Sequence, residues 1–183
     1  MALDKNVLFY ACMELFVEKG VRTTMDDVSR RMGISKRTLY QNIRSKEELA
    51  DFLVTRYFEI VEEVQRQIRE DASLDPVEKV RRLLTATPSL PLARFRMTEF
   101  RVEYPQAYAL LDEKLSRGWE KTFVIMDECI AAGRFRPFNK ELFARVYASA
   151  IEGLTLEFNQ QSGMTFDDMQ AQLVQVLLFG IVS

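Results

Sequence analysis

A chain of 183 residues that is 48% hydrophobic and 28% charged, with only 7 glycines and 5 prolines, is long enough for a real core and reads as globular and helix-rich rather than disordered. It contains no histidine, which removes Ser-His-Asp and Cys-His nucleophiles and the commonest nitrogen ligand of zinc, so no catalytic residue, metal or cofactor is expected. The net charge is only −2, and no segment reaches the roughly 18 uninterrupted apolar residues of a membrane span, so a cytoplasmic chain with no membrane partner is expected.

From Asp4 to Lys19, Leu8, Ala11, Cys12, Leu15 and Phe16 recur at helical spacing and stop before Gly20, which predicts a first helix. Thr24 can cap a short second helix on which Met25, Val28 and Met32 share a face, with Asp27 at the third position and Gly33 ending it. Ser35 then caps a third helix, with Ile34 and Leu39 at staple spacing and Leu39 on the buried side. Only "GIS" separates the two, with glycine where a left-handed backbone is easiest, and the pair reads as a helix-turn-helix.

Ser45 and Glu48 form an S-x-x-E capping signal for a long fourth helix over residues 46–70. Asp75 and Pro76 open a fifth, which "TPSLP" breaks. "LARFRMTEFRVEY" predicts a short sixth helix, and "PQAYALLDEKLSRGWEKTFVIMDECIAAG" a single long seventh ending at Gly133. Asn139 opens an eighth to about Gln160, and Thr165 with Asp168 a ninth that runs to the C-terminus. No stretch alternates with period two. The expected fold is all-α with nine helices, a three-helix head over residues 1–46 and a six-helix body over residues 47–183. The acid pairs Asp26/Asp27, Glu47/Glu48 and Asp167/Asp168 each fall in a first helical turn, where they complement the helix dipole. Cys12 and Cys129 lack CxxC spacing and read as buried free thiols.

Charge is unevenly spread. Residues 20–46 hold Arg22, Arg30, Arg31, Lys36, Arg37, Arg44 and Lys46 against Asp26 and Asp27, seven cations to two acids and a local net of +5, which leaves −7 on the rest. A charge cluster is ordinarily a solvated face, but here it coincides with the helix-turn-helix and suits a polyanion. In "SKRTLYQN" Leu39 is needed for packing, which leaves Lys36, Arg37, Thr38, Tyr40, Gln41 and Asn42 on the first two turns of the third helix. Arg and Lys can pair with guanine O6 and N7, Gln and Asn with adenine N6 and N7, while Tyr and Thr hydroxyls suit phosphate.

These residues, with "LFVEKG", "TTMDDV", the G-[IV]-S-x-x-T-L-Y run and the S-K-E-x-L entry to the fourth helix, resemble the TetR family of bacterial transcriptional regulators over roughly residues 4 to 50. The resemblance implies a nine-helix homodimer with a DNA-binding head and a body that holds a ligand pocket and the dimer interface. It implies phosphate contacts at Thr24, Tyr40 and Lys46, to which the hydroxyl of Thr38 adds a fourth, and base contacts at Lys36, Arg37, Gln41 and Asn42. Arg37 departs from the Gly or Pro common in the family, and Ile43 stands where Phe is common.

The expected function is that of a ligand-responsive regulator, a repressor, that binds a palindromic double-stranded DNA operator as a homodimer. The competing reading is a helical interaction protein that keeps the head for packing and does not bind DNA. The basic, unblocked third helix argues against it. An enzyme is disfavoured because no nucleophile, base and metal cluster converge. In "DDMQAQLVQVLLFGIVS" the apolar residues exceed one helical stripe, so Leu173, Leu177, Leu178 and Ile181, with Val146, Ile151 and Leu154 from the eighth helix, are candidates for the homodimer interface. Phe95, Met97, Phe100, Tyr104, Tyr108, Trp119, Phe123 and Met126 are candidates to line a pocket for an apolar or aromatic small molecule, although most aromatic and Met side chains at such spacing fill interiors.

Overall fold

A computed structural model of the chain describes residues 3–86, 97–154 and 163–180. Short polar side chains set the helix starts by giving partners to amides that a helix leaves open. The Asp4 carboxylate accepts from the Asn6 and Val7 amides at the start of α1 (Lys5–Lys19). Thr24 and Asp27 make a reciprocal capping box on α2 (Met25–Arg31), and Ser35 accepts from the Thr38 amide on α3 (Lys36–Tyr40). At the start of α4 (Lys46–Glu70) Ser45 accepts from the Glu48 amide, but the Glu48 carboxylate reaches back to the Arg44 amide. Asp75 caps α5 (Pro76–Leu84), with proline at the first helical position.

The chain continues through α6 (Met97–Glu103), α7 (Pro105–Arg117), α8 (Glu120–Ala131), α9 (Lys140–Gly153), which Asn139 caps, and α10 (Phe166–Phe179), which starts with a second reciprocal box made by Thr165 and Asp168. The molecule is all-helical as expected, and the nine expected helices are represented among the described residues. One is interrupted: the seventh is in two pieces, α7 and α8, parted at Gly118 and Trp119. Glycine is a poor helix former, and the Trp119 indole N–H donates to the Leu115 carbonyl (3.1 Å), the acceptor that an unbroken helix would give to the Trp119 amide.

The described residues fall into two compact units. The first comprises residues 3–59 and 97–112. Here α1 packs on α2 and α2 on α3, around buried Phe9, Cys12, Phe16, Val28, Leu39 and Leu49. Helix α6 packs on the 3-10 turn Gly20–Arg22, and Phe100 and Tyr104 set their rings 6.3 and 6.1 Å from that of Phe16.

The second unit comprises residues 60–86, 113–154 and 163–180. Its core joins Val80, Leu83 and Leu84 of α5, Ile125, Met126 and Cys129 of α8, Phe135, Phe143 of α9, and Val174 and Leu178 of α10. One polar knot lies inside it. The Tyr147 hydroxyl donates to the Leu84 carbonyl, and the Gln170 amide donates to the same carbonyl (3.0 Å) and to the Tyr147 oxygen (2.9 Å), so a helix-end acceptor is satisfied inside the unit. Burial pushes the Tyr147 phenol up to about 12, against the opposing pull of the Gln170 hydrogen bond. Both cysteines are buried free thiols, and burial raises Cys12 to about 12 and Cys129 above its ordinary value. Among the described residues no helix is long and apolar enough to cross a membrane.

Candidate nucleic-acid interface

The turn that presents α3 is built from a left-handed glycine. Gly33 has φ +63°, its amide donates to Arg30 (3.2 Å), and the Ile34 amide donates to Ser29 (3.0 Å), the paired bonds of a Schellman stop. A Cβ at Gly33 would meet nothing within 4 Å, so the demand for glycine there comes from the backbone angle and not from space. Leu39, fully buried, and Ile43 anchor α3 from below. With that side fixed, Lys36, Arg37, Tyr40, Gln41 and Asn42 are exposed and Thr38 is half-buried.

Exposure alone does not make these side chains equivalent. Arg37 and Gln41 lie one turn apart on the same face and make no side-chain hydrogen bond or ion pair among the described residues. Lys36 is paired with Asp26, and the Asn42 amide donates to the Thr38 carbonyl (2.8 Å), bracing the end of its own helix. The Thr38 hydroxyl lies 2.8 Å from that of Ser35, and the Thr24 hydroxyl donates to the Asp27 carboxylate (2.7 Å). Lys46 is half-buried and faces inward: its ammonium donates to the Val21 carbonyl (2.9 Å) and lies 5.7 Å from the centroid of the Tyr104 ring.

The remaining cations sort in the same way. Arg31 is committed to α1, pairing with Glu14 (2.8 Å) and Glu18 (2.6 Å). Arg22, Arg30 and Arg44 are exposed and, like Arg37, have no side-chain partner among the described residues. These three belong to the basic cluster but were missing from the contacts expected by motif. Local net charge was the signal that pointed to them.

The other expected site residues divide between the units. Met97, Phe100, Tyr104 and Tyr108 belong to the first unit, with Phe100 and Tyr104 buried against Phe16; Trp119, Phe123 and Met126 belong to the second, with Met126 in its core. Neither unit holds the whole proposed lining, and Phe95 lies outside the described residues. Of the expected interface residues, Val146 is exposed, and Ile151, Leu154, Leu173 and Leu177 are half-buried. Leu178 packs in the core of its own unit, and among the described residues the exposed large apolar positions of α10 are Val176 and Phe179. Ile181 lies outside the described residues.

A helix-turn-helix whose third helix turns Arg37 and Gln41 outward, in a chain that is helical over its described residues, is the arrangement with which such motifs present a reading helix to DNA. Residues 8–52 match the family model for bacterial regulatory proteins of the tetR family. The uncharacterized HTH-type transcriptional regulator YvaF of Bacillus subtilis (strain 168) is 28% identical over 184 residues, spanning 99% of this chain and 96% of its own. Among solved structures, the transcriptional regulator FadR from Bacillus subtilis in complex with stearoyl-CoA superposes with a TM-score of 0.72 at 19% identity, covering 97% of this chain and 100% of its own. PfmR from Thermus thermophilus, a TetR family transcriptional regulator, gives 0.69 at 21% identity, covering 94% and 97%. Residues 8–52 thus match the tetR-family DNA-binding region, and the described chain shares the fold of solved regulators of that kind.

Proposed function

We propose that the chain is a transcriptional regulator of the TetR family, a ligand-responsive repressor that works in the cytoplasm and binds a palindromic duplex operator as a homodimer. One observation carries the DNA reading: Arg37 and Gln41 stand exposed on one face of α3 with no side-chain partner among the described residues. A side chain already satisfied by its own protein has less to gain from a base edge. Arg37 and Gln41 are therefore the principal base readers, and Lys36 and Asn42 join them by exchanging their exposed contacts to Asp26 and Thr38, since such surface pairs are worth only about 0–1 kcal/mol. Tyr40, Thr24 and Thr38 meet phosphates, together with Arg22, Arg30 and Arg44.

For the effector we infer an apolar or aromatic small molecule held by the body. FadR was solved with stearoyl-CoA, which makes long-chain acyl thioesters the first class to screen, and Trp119 and Phe123, half-buried beside the core of the second unit, are the side chains to probe. Helix α4 spans Lys46–Glu70, and we infer that binding acts on operator affinity through it. Coupling of the usual size weakens operator binding by about 5- to 150-fold.

The test is a binding-site selection run on the wild type and on Arg37→Ala. A palindromic logo that loses preference at one base pair per half-site in Arg37→Ala supports the assignment. An unchanged logo with a uniform loss of affinity makes Arg37 a phosphate contact, and failure of the wild type to enrich any sequence removes the DNA reading.

A further inference from the structure

The inward lysine at the head of α4 has no place in the contact set above, and its surroundings are specific. Its ammonium donates to the carbonyl of Val21, inside the 3-10 turn that joins α1 to α2, and lies 5.7 Å from the centroid of the Tyr104 ring. That ring is 3% exposed and wedged between Phe16 (6.1 Å) and Phe100 (5.3 Å) at the corner where α6 meets α7. The Tyr104 hydroxyl is buried and has no hydrogen-bond partner among the described residues, so it is the face of the ring that holds the cation. One side chain, from the first residue of α4, thus reaches both the turn before α2 and the α6–α7 corner, all within the first unit.

We propose that Lys46 is an internal strut rather than a phosphate clamp, and that Tyr104 is a positioning residue for DNA reading although it lies 58 positions away in the chain. The strut fixes the turn that launches α2, and α2 packs directly on α3, so its loss lets the reading helix wander relative to α4. A lysine recruited to phosphate would have to give up both the carbonyl and the ring. This proposal rests on α3 being the DNA reader.

The experiment measures affinity across a salt series for the duplex enriched by selection and for a scrambled duplex. It uses wild type, Lys46→Met, Tyr104→Leu, Tyr104→Phe and the Lys46→Met/Tyr104→Leu double variant. Lys46→Met and Tyr104→Leu are each expected to weaken the selected duplex about two- to fivefold with the salt slope unchanged, and the double variant to be no weaker than either alone. Tyr104→Phe keeps the ring face and should bind as wild type does. A slope flatter by about one unit in Lys46→Met, or losses that multiply in the double variant, overturns the strut. Urea unfolding of the same variants decides the matter independently of DNA: the two single losses are expected to be non-additive, and additive losses reject the proposal. A wild type that binds neither duplex would remove the DNA reading alone, because the unfolding cycle still decides the strut.

Discussion

The outward side of α3 and the outward sides of α9 and α10 are both exposed among the described residues, yet they differ in kind. Helix α3 offers long polar side chains on a five-residue helix held by Leu39. Helix α9 instead exposes Leu142 (59%) and Val146 (44%), four apart, and α10 exposes Val176 (71%) and Phe179 (81%), three apart, so each pair lies on one helical face. A polar surface with exposed cations suits a ligand that brings its own counter-ions, and its affinity must depend on salt. An apolar pair on each of two helices gains from loss of water and is nearly blind to salt. The difference is the one expected between the proposed DNA surface and the proposed dimer surface, and each prediction targets one side of it.

The largest effects come from beneath the surfaces. Phe135, nearly fully buried in the second unit, should lose about 3–5 kcal/mol of stability as Phe135→Ala, read by urea unfolding. Leu39→Ala should lose about 2–5 kcal/mol and abolish operator binding, because it removes the anchor of α3. Next comes the apolar face. Phe179→Glu places a charge on the outward apolar side of α10, and if that side forms the dimer contact it should raise the dimer dissociation constant about thirtyfold or more, the size expected of a buried aromatic anchor. Sedimentation at two salt concentrations checks this, and equal loss at both is the apolar signature.

Arg37→Ala is smaller and reverses the pattern of its neighbour. It should cost about 1–3 kcal/mol on the operator. Stability should stay within about 0.5 kcal/mol of wild type, because Arg37 has no internal partner among the described residues to lose. Leu39 and Arg37 are two residues apart on one short helix, so the pair tests whether architecture and recognition are separable there. If Arg37→Ala destabilises the fold as much as Leu39→Ala does, the face is structural.

The short-range rules explain why so much of this was readable in advance. Caps at Thr24, Ser35, Asp75, Asn139 and Thr165, and glycine stops at Gly33 and Gly133, depend on neighbours within a few residues, and each appears where its motif stands. Contacts between distant segments were not readable. Nothing local says that Trp119 will turn its indole onto Leu115 and part α7 from α8, or that Tyr104 will pack on Phe16 and sit under Lys46. An apolar stripe on the last helix does not say which of Leu178 and Phe179 turns inward, and neighbouring residues on a helix differ by about 100° in direction. The motif likewise named seven contacts, and the Thr38 hydroxyl an eighth, unranked within each class, whereas the internal partners of Lys36, Asn42 and Lys46 rank them.

The smallest effect sets attraction against architecture within the head itself. Hydrogen bonds from Lys19 and from the Thr24 hydroxyl and amide hold the Asp27 carboxyl well below the ordinary carboxylate range. Because the folded value is depressed, the resulting stability is fully present above the unfolded value of about 3.9 and is lost as pH falls through the folded value. Urea unfolding should therefore show wild type falling more steeply than Asp27→Asn below about pH 4, with the two curves converging in strong acid. At neutral pH the same substitution deletes one of the two acids in residues 20–46 and frees Lys19, so the head becomes more positive while its capping box weakens. Binding to scrambled DNA should then tighten modestly although the fold is less stable, because general attraction follows net charge. Preference for the selected operator over scrambled DNA should shrink, because that depends on where the Asp27 box places α2 and, through it, α3. A uniform gain on both duplexes would mean that the head reads charge alone.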